Sequence, residues 1–158
     1  MGVSVDHFST SKFKLKDQEA ANHIRRLINL LHYEENLYSG YRGSDFYAEM
    51  YEEGDLTFSI TTGNYFDGGP QLKSNSVTPP ENEDDEDLSD DEYVDLWDEI
   101  QNNLEDGTHF TVTNHTNERS GLYFRMTIYH SNGKAFTKSC YDVEDELFKK
   151  LINEECTK

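Results

Sequence analysis

The feature that most constrains this chain is an acidic segment, residues 81–106, whose character changes half-way along. Fourteen of its 26 residues are Asp or Glu, and none is Lys or Arg. Its first part is too highly charged to fold alone, whereas apolar side chains recur at helical spacing in its second part. Ser89 and Glu92 have the spacing of a capping box, which starts a helix. The sequence therefore predicts an amphipathic helix over residues 90–106.

The predicted helix has two faces of different chemistry. Its apolar stripe spans an arc of about 100° and includes Trp97, which we assign to the core. The opposite face carries carboxylates but no Lys or Arg, although like charges four residues apart repel one another. Because like charges on one face destabilise a helix, their presence here indicates binding to a basic partner. The carboxylates are Asp91, Asp95, Asp98, Glu99, Glu105 and Asp106, and Glu83, Asp84, Asp85, Glu86 and Asp87 extend the same surface.

Negative charge is concentrated in the middle of the chain. The formal net charge is −18 over 158 residues, of which residues 71–106 contribute −13. A field of this sign repels nucleic acid and membrane surfaces and attracts basic proteins. We therefore expect neither direct nucleic-acid binding nor membrane association. Cys140 and Cys156 lack CxxC spacing, and no signal peptide or membrane span is visible, so we expect a cytoplasmic protein.

The remaining periodicity predicts an α+β fold, with an antiparallel sheet and helices packed on one face. Asp17 is the predicted N-cap of a helix that lasts to about Leu37. Asn132 and Gly133 form the strongest hairpin signal. The C-terminal half has the order α-β-β-β-α. The predicted strands are residues 13–16, 55–62, 109–115, 122–130 and 134–141, and further helices are predicted at 44–52, at 90–106 and from about 142.

We expect one domain over residues 1–158, in which residues 70–88 form a flexible acidic loop or linker. This segment contains Pro70, Pro79 and Pro80 as well as the start of the acidic run, a composition typical of segments without a packed core.

Carboxylates on one side of a helix can imitate the charge of nucleic acid. Side chains three or four residues apart lie roughly 5–6 Å apart on a helix surface, which is comparable to the spacing of phosphates. In charge, size and organisation, the chain resembles the small acidic inhibitors made by phages and mobile elements. The resemblance rests on residues 81–106 and on the overall acidity. It implies a DNA mimic that fills the basic groove of a nuclease or of a CRISPR or restriction effector and excludes DNA or RNA.

A second interpretation is an immunity protein or antitoxin that neutralises a basic toxin. Acidic inhibitors bind such toxins rapidly through electrostatic steering. Residues 33–51 are rich in tyrosine, a residue type enriched at the centres of interfaces. Tyr38, Tyr41 and Tyr47 are therefore predicted to make specific contacts with the partner.

The third interpretation is an enzyme. His7 with Ser9, and His109 with Thr111, fit the His-x-Ser/Thr pattern of two-histidine phosphoesterases. That resemblance would make the two histidines the general acid and base. A net charge of −18 opposes an anionic substrate, so we expect no catalysis. The acidic run lacks the spaced pattern of a calcium-binding loop, and no metal or cofactor is expected.

Overall fold

The computed structural model describes residues 6–38, 42–65, 70–77, 93–118 and 121–140. The strands are β1 Asp6–Thr10, β2 Phe13–Lys14, β3 Arg42–Gly54, β4 Thr57–Tyr65, β5 Gln71–Lys73, β6 Tyr93–Asp95, β7 His109–Glu118, β8 Gly121–His130 and β9 Ala135–Cys140. The helices are α1 Gln18–Leu30, α2 Ser74–Val77 and α3 Leu96–Asn102, with a 3₁₀ helix at Glu34–Asn36. These elements confirm the predicted α+β class.

Seven of the strands form one antiparallel sheet. Strand β4 pairs with β3 on one side and with β1 and β2 on the other, and the sheet continues from β1 through β7 and β8 to β9. Within the described part of the chain, β3 and β9 are therefore the two edges. Strands β5 and β6 form a separate two-stranded antiparallel sheet.

One face of the large sheet packs against α1 and α3. Because side chains alternate between the two faces of a strand, partners in register lie on the same face. Phe8 of β1, Ile60 of β4 and Phe110 of β7 belong to this covered face and are buried. The ring of Trp97, on α3, lies 5.9 Å from the ring of Phe8. The described helices therefore lie on one face, as the sequence predicts.

Helix α1 begins as predicted. The carboxylate of Asp17 accepts a hydrogen bond of 2.8 Å from the backbone N–H of Ala20, which satisfies one of the free donors at the helix start. The helix ends at Leu30 rather than near Leu37, because the Asn36 side chain donates to the Leu30 carbonyl and a 3₁₀ turn follows. The buried stripe of α1 is Ala20, Ala21, Ile24, Leu27 and Ile28.

The predicted short helix at residues 44–52 is wrong, because this segment belongs to strand β3. Ala48 is buried and Phe46 and Met50 pack against the core, whereas Tyr47 and Glu49 between them are exposed. This alternation has the two-residue period of a strand.

The predicted helix at residues 90–106 is also wrong in extent. Residues Tyr93–Asp95 pair with Gln71–Lys73 instead, and α3 covers only Leu96–Asn102. After the helix, Leu104 forms an isolated bridge with Leu15. Both ends of the predicted apolar stripe therefore pair with segments that are distant in the sequence, and only its middle part is helical.

The predictions for strands β7, β8 and β9 are confirmed. So is the tight turn before β9, where Gly133 has a φ of 91°, a conformation that glycine adopts without strain. Residues 70–88 are predicted as a flexible loop, but residues 71–77, directly after Pro70, form β5 and α2. The rest of that loop and the helix predicted from about residue 142 lie outside the described residues.

Candidate functional site

Three of the predicted carboxylates are engaged within the protein. Asp95 caps α3, where its carboxylate accepts from the backbone N–H groups of Trp97 and Asp98 at 2.9 and 3.3 Å. Glu99 lies 3.4 Å from the imidazole of His23, and Glu105 lies 3.6 Å from Lys14. These contacts replace the continuous acidic face that the sequence predicts.

Two other predicted carboxylates, Asp98 and Asp106, are exposed to solvent. Tyr47 is also exposed, whereas Tyr38 is half-buried and stacks on Tyr93 with ring centroids 4.8 Å apart. The other predicted binding residues, Asp91, Tyr41 and Glu83, Asp84, Asp85, Glu86 and Asp87, lie outside the described residues.

A second acidic surface lies on the edge strand β3. Tyr47, Glu49, Tyr51 and Glu53 alternate along the strand, share the face of the sheet opposite α1, and are all exposed. We call these four residues the Tyr–Glu row. Successive members lie roughly 7 Å apart along the strand. Of these four residues only Tyr47 is among the predicted binding residues, although the period-two alternation around it is a signal that could have revealed the others.

Contacts within the sheet hold the Tyr–Glu row in place. The Tyr51 hydroxyl donates to the Glu49 carboxylate, and the Ser59 hydroxyl donates to Glu53 at 2.9 Å. The ring of Tyr47 covers the buried Gly63 of β4, where a Cβ atom would stand only 2.2 Å from the ring. Glycine is therefore required at this position for the tyrosine ring to lie flat on the sheet.

Gly63→Ala should displace the Tyr47 ring and destabilise the protein by about 1–2 kcal/mol, because the added methyl group overlaps the ring. In a Tyr47→Ala background the same substitution should be neutral or stabilising, since alanine restricts the unfolded chain more than glycine does. Urea unfolding of the two single variants and the double variant gives the coupling energy. A coupling energy near zero would contradict the packing of Tyr47 on Gly63.

The structure does not bring the two His-x-Ser/Thr motifs together. His7 faces His115 across β1 and β7, whereas His109 faces His130, with their rings stacked 6.5 Å apart. His109 and His115 are six residues apart on one strand, so His7 and His109 lie roughly 20 Å apart. That distance is too great for an acid and a base to act on one phosphodiester.

A cavity of about 250 Å³ opens on the helix-covered face of the sheet, beside α3. One row of its floor runs across three strands through Phe8, Asn114 and Arg125, which are partners in register. The next row contains Thr127 and Thr137, whose hydroxyls lie 3.0 Å apart. The full lining is Phe8, Asp95, Trp97, Val112, Asn114, Arg125, Thr127, Tyr129 and Thr137.

The wall of the cavity contains ionisable groups whose pKa values are shifted. Burial raises the pKa of Asp95, and the nearby charge of Asp98 raises it further. Burial also raises the pKa of the Tyr129 hydroxyl, with smaller contributions from the same two carboxylates, while Arg125 opposes the shift. Tyr129 is therefore a neutral hydrogen-bond donor at physiological pH.

Asp95→Asn should raise the melting temperature at neutral pH. A raised pKa means that the folded state favours the protonated carboxyl group, so ionised Asp95 costs stability once the pH exceeds the ordinary value of 3.8. Asparagine caps a helix as well as aspartate does, so the substitution removes the charge and keeps the cap. The gain should disappear in melts recorded below the ordinary aspartate pKa. Asp106→Asn, at an exposed turn, is the control and should have little effect at either pH.

No known family matches this chain. The comparisons found no matching family model and no significantly similar curated protein or solved structure. No helix in the described residues is long and apolar enough to cross a membrane. In the same part of the chain, no group of three or more His, Cys, Asp or Glu residues could hold a metal ion.

Proposed function

We propose that the protein acts by binding and not by catalysis. It fills the basic nucleic-acid groove of a nuclease or of a CRISPR or restriction effector and thereby excludes DNA or RNA. The observation that carries the proposal is the Tyr–Glu row, which presents carboxylates and aromatic rings together on a strand that is an edge of the sheet in the described part of the chain.

The carboxylates of the row have no cationic partner among the residues that the structure describes. No described Lys or Arg lies within ion-pair distance of Glu49 or Glu53, whereas Glu52, on the other face of the same strand, lies 3.7 Å from Arg25. An unneutralised carboxylate on a protein of net charge −18 attracts Lys and Arg side chains of a partner. On the α3 side, Glu105 and Glu99 likewise lie near Lys14 and His23, so the Tyr–Glu row is favoured over these two carboxylates as the site of contact.

The tyrosines of the row add apolar area at the same place. Tyr47 and Tyr51 remain 41% and 44% exposed although each is held by a contact within the sheet. Because their positions are fixed before binding, little side-chain entropy is lost when a partner covers them. The same surface would suit an immunity protein that neutralises a basic toxin, which is the second candidate function.

A pull-down at increasing salt concentrations tests the proposal. The purified protein is used as bait in lysates, beside a Glu49→Gln, Glu53→Gln variant that retains the tyrosines. We expect a basic, nucleic-acid-handling protein that the unmodified bait retains at low salt and releases at high salt, and that the variant retains poorly. Added DNA or RNA should displace it, because both compete for one groove.

The other outcomes are equally informative. A retained toxin that nucleic acid cannot displace would support the immunity protein. Retention of no basic protein at any salt concentration, or equal retention by the unmodified bait and the variant, would contradict binding through the Tyr–Glu row.

A further inference from the structure

Two buried polar atoms beside α3 have no hydrogen-bond partner among the described residues. They are Trp97 Nε1, a donor, and Asn114 Oδ1, an acceptor, and the two residues are only 3% and 5% exposed. Both side chains line the cavity. Buried polar groups are almost always paired, because an unmade hydrogen bond in the interior costs free energy. A buried donor and a buried acceptor that lie unpaired in the wall of one cavity mark this wall as polar beneath its surface.

The same cavity is lined by opposite charges that do not neutralise each other. Asp95 lies on the wall and Arg125 lies on the floor next to Asn114. The ion pairs between described side chains do not include one between Asp95 and Arg125. In a partly buried site, charges interact more strongly than in water. A carboxylate and a guanidinium group held apart around one space can therefore bind a molecule that carries both an ammonium group and a carboxylate.

The size and the apolar lining restrict that molecule further. A volume of about 250 Å³ exceeds the roughly 150 Å³ of a cavity that binds benzene and falls below the range of about 300–1,000 Å³ that is typical of drug-sized ligands. Phe8, Val112 and the ring of Trp97 supply apolar surface beside the charged groups. This combination suits a small amphoteric molecule with an apolar part.

We propose that the cavity binds a small zwitterion, an α-amino acid or a molecule of the same chemistry. Its ammonium group contacts Asp95, its carboxylate contacts Arg125, and its apolar side chain lies against Phe8 and Val112. Residues from β1, β7, β8 and the start of α3 meet in this site, which does not include the Tyr–Glu row. Binding at this site can therefore be tested independently of the proposed inhibitor function.

The protein contains its own reporter for this binding. Trp97 is the only tryptophan in the chain and lines the cavity, so its fluorescence and its indole N–H resonance should change when the cavity fills. The titration uses individual α-amino acids, with phenylethylamine and 3-phenylpropionate as analogues that retain only one of the two charges. We expect at least one apolar or aromatic amino acid to shift the Trp97 signals and each analogue to bind at least tenfold more weakly.

Substitutions test which residue contacts each charged group of the ligand. Asp95→Asn and Arg125→Gln should each weaken amino-acid binding at least tenfold, because each removes one charged contact. Asparagine retains the cap of α3, so loss of binding in that variant would not reflect loss of the helix. Asp98→Asn removes the same charge from an exposed position three residues away that does not line the cavity, and it should change the affinity less than twofold.

Three results would overturn the proposal. In the first, no amino acid changes the Trp97 signals at millimolar concentration. In the second, the analogues with a single charge bind as tightly as the amino acid. In the third, Asp95→Asn and Arg125→Gln retain full affinity while their melting curves show that both are folded.

Discussion

Phe110→Ala should destabilise the protein by about 3–5 kcal/mol, the range expected when a fully buried aromatic side chain is truncated and leaves a cavity. Phe110 is 0% exposed. Its ring lies 5.5 Å from Phe13 and stacks 5.2 Å from Tyr129. The total stability of a domain is usually only about 5–15 kcal/mol. The variant would therefore retain only a small free energy of unfolding, and the urea concentration at the midpoint of unfolding should fall sharply.

The control for this prediction is Tyr33→Ala, which truncates an aromatic residue that is 59% exposed. Surface substitutions of this kind change stability by only about 0.5 kcal/mol. Both variants should keep the slope of the unfolding curve, since the surface exposed on unfolding is almost unchanged. A loss below about 1 kcal/mol for Phe110→Ala would mean that the contact between β7 and β2 is not part of a packed core.

Local signals predicted those elements whose partners are near in sequence. Strands β7, β8 and β9 follow one another as a meander, and Asn132 with Gly133 supplies the turn between the last two strands. The start of α1 could be predicted for the same reason, because Asp17 caps a helix that begins at the next residue. In both cases one short segment contains the whole physical cause of the structure.

Elements that depend on distant partners were harder to predict. Strand β1, residues Asp6–Thr10, is mainly polar, yet it lies inside the sheet because β4 and β7 pair with both of its sides. Residues 93–95 have helical periodicity but form a strand, since Gln71–Lys73 offers an edge to pair with. Periodicity describes which side chains can share a face. It does not show which segment from elsewhere in the chain will pair with them.

The candidate sites show the same limit. The burial of Trp97 followed from its position on the apolar stripe, but the cavity that it lines combines residues from Phe8 to Thr137. No local pattern could indicate that Asp95 and Arg125 would line the same cavity. The acidic composition of the chain is evident from the sequence. Which of the described carboxylates lack an ion-pair partner depends on where Lys14, His23 and Arg25 lie in the fold.

Reversing the charges of the Tyr–Glu row should have the largest effect on function. We expect Glu49→Lys combined with Glu53→Lys to weaken binding to the basic partner at least 100-fold, which corresponds to about 3 kcal/mol. The physical reason is that two attractive contacts become repulsive, and close charge pairs in interfaces couple by about 1.5–7 kcal/mol. Affinity is measured with the partner recovered from the pull-down, at two salt concentrations.

The matched control reverses two carboxylates on the α3 side, Asp98→Lys with Asp106→Lys. Both double variants change the net charge by the same amount, so long-range steering should weaken equally in each. The two pairs lie on different parts of the fold, because β3 presents Glu49 and Glu53 on the face opposite the helices. A difference in dissociation rate therefore reports direct contact. A larger loss in the α3 variant would move the binding surface to the carboxylates that helical periodicity predicts, and equal losses would mean that only the overall negative charge matters.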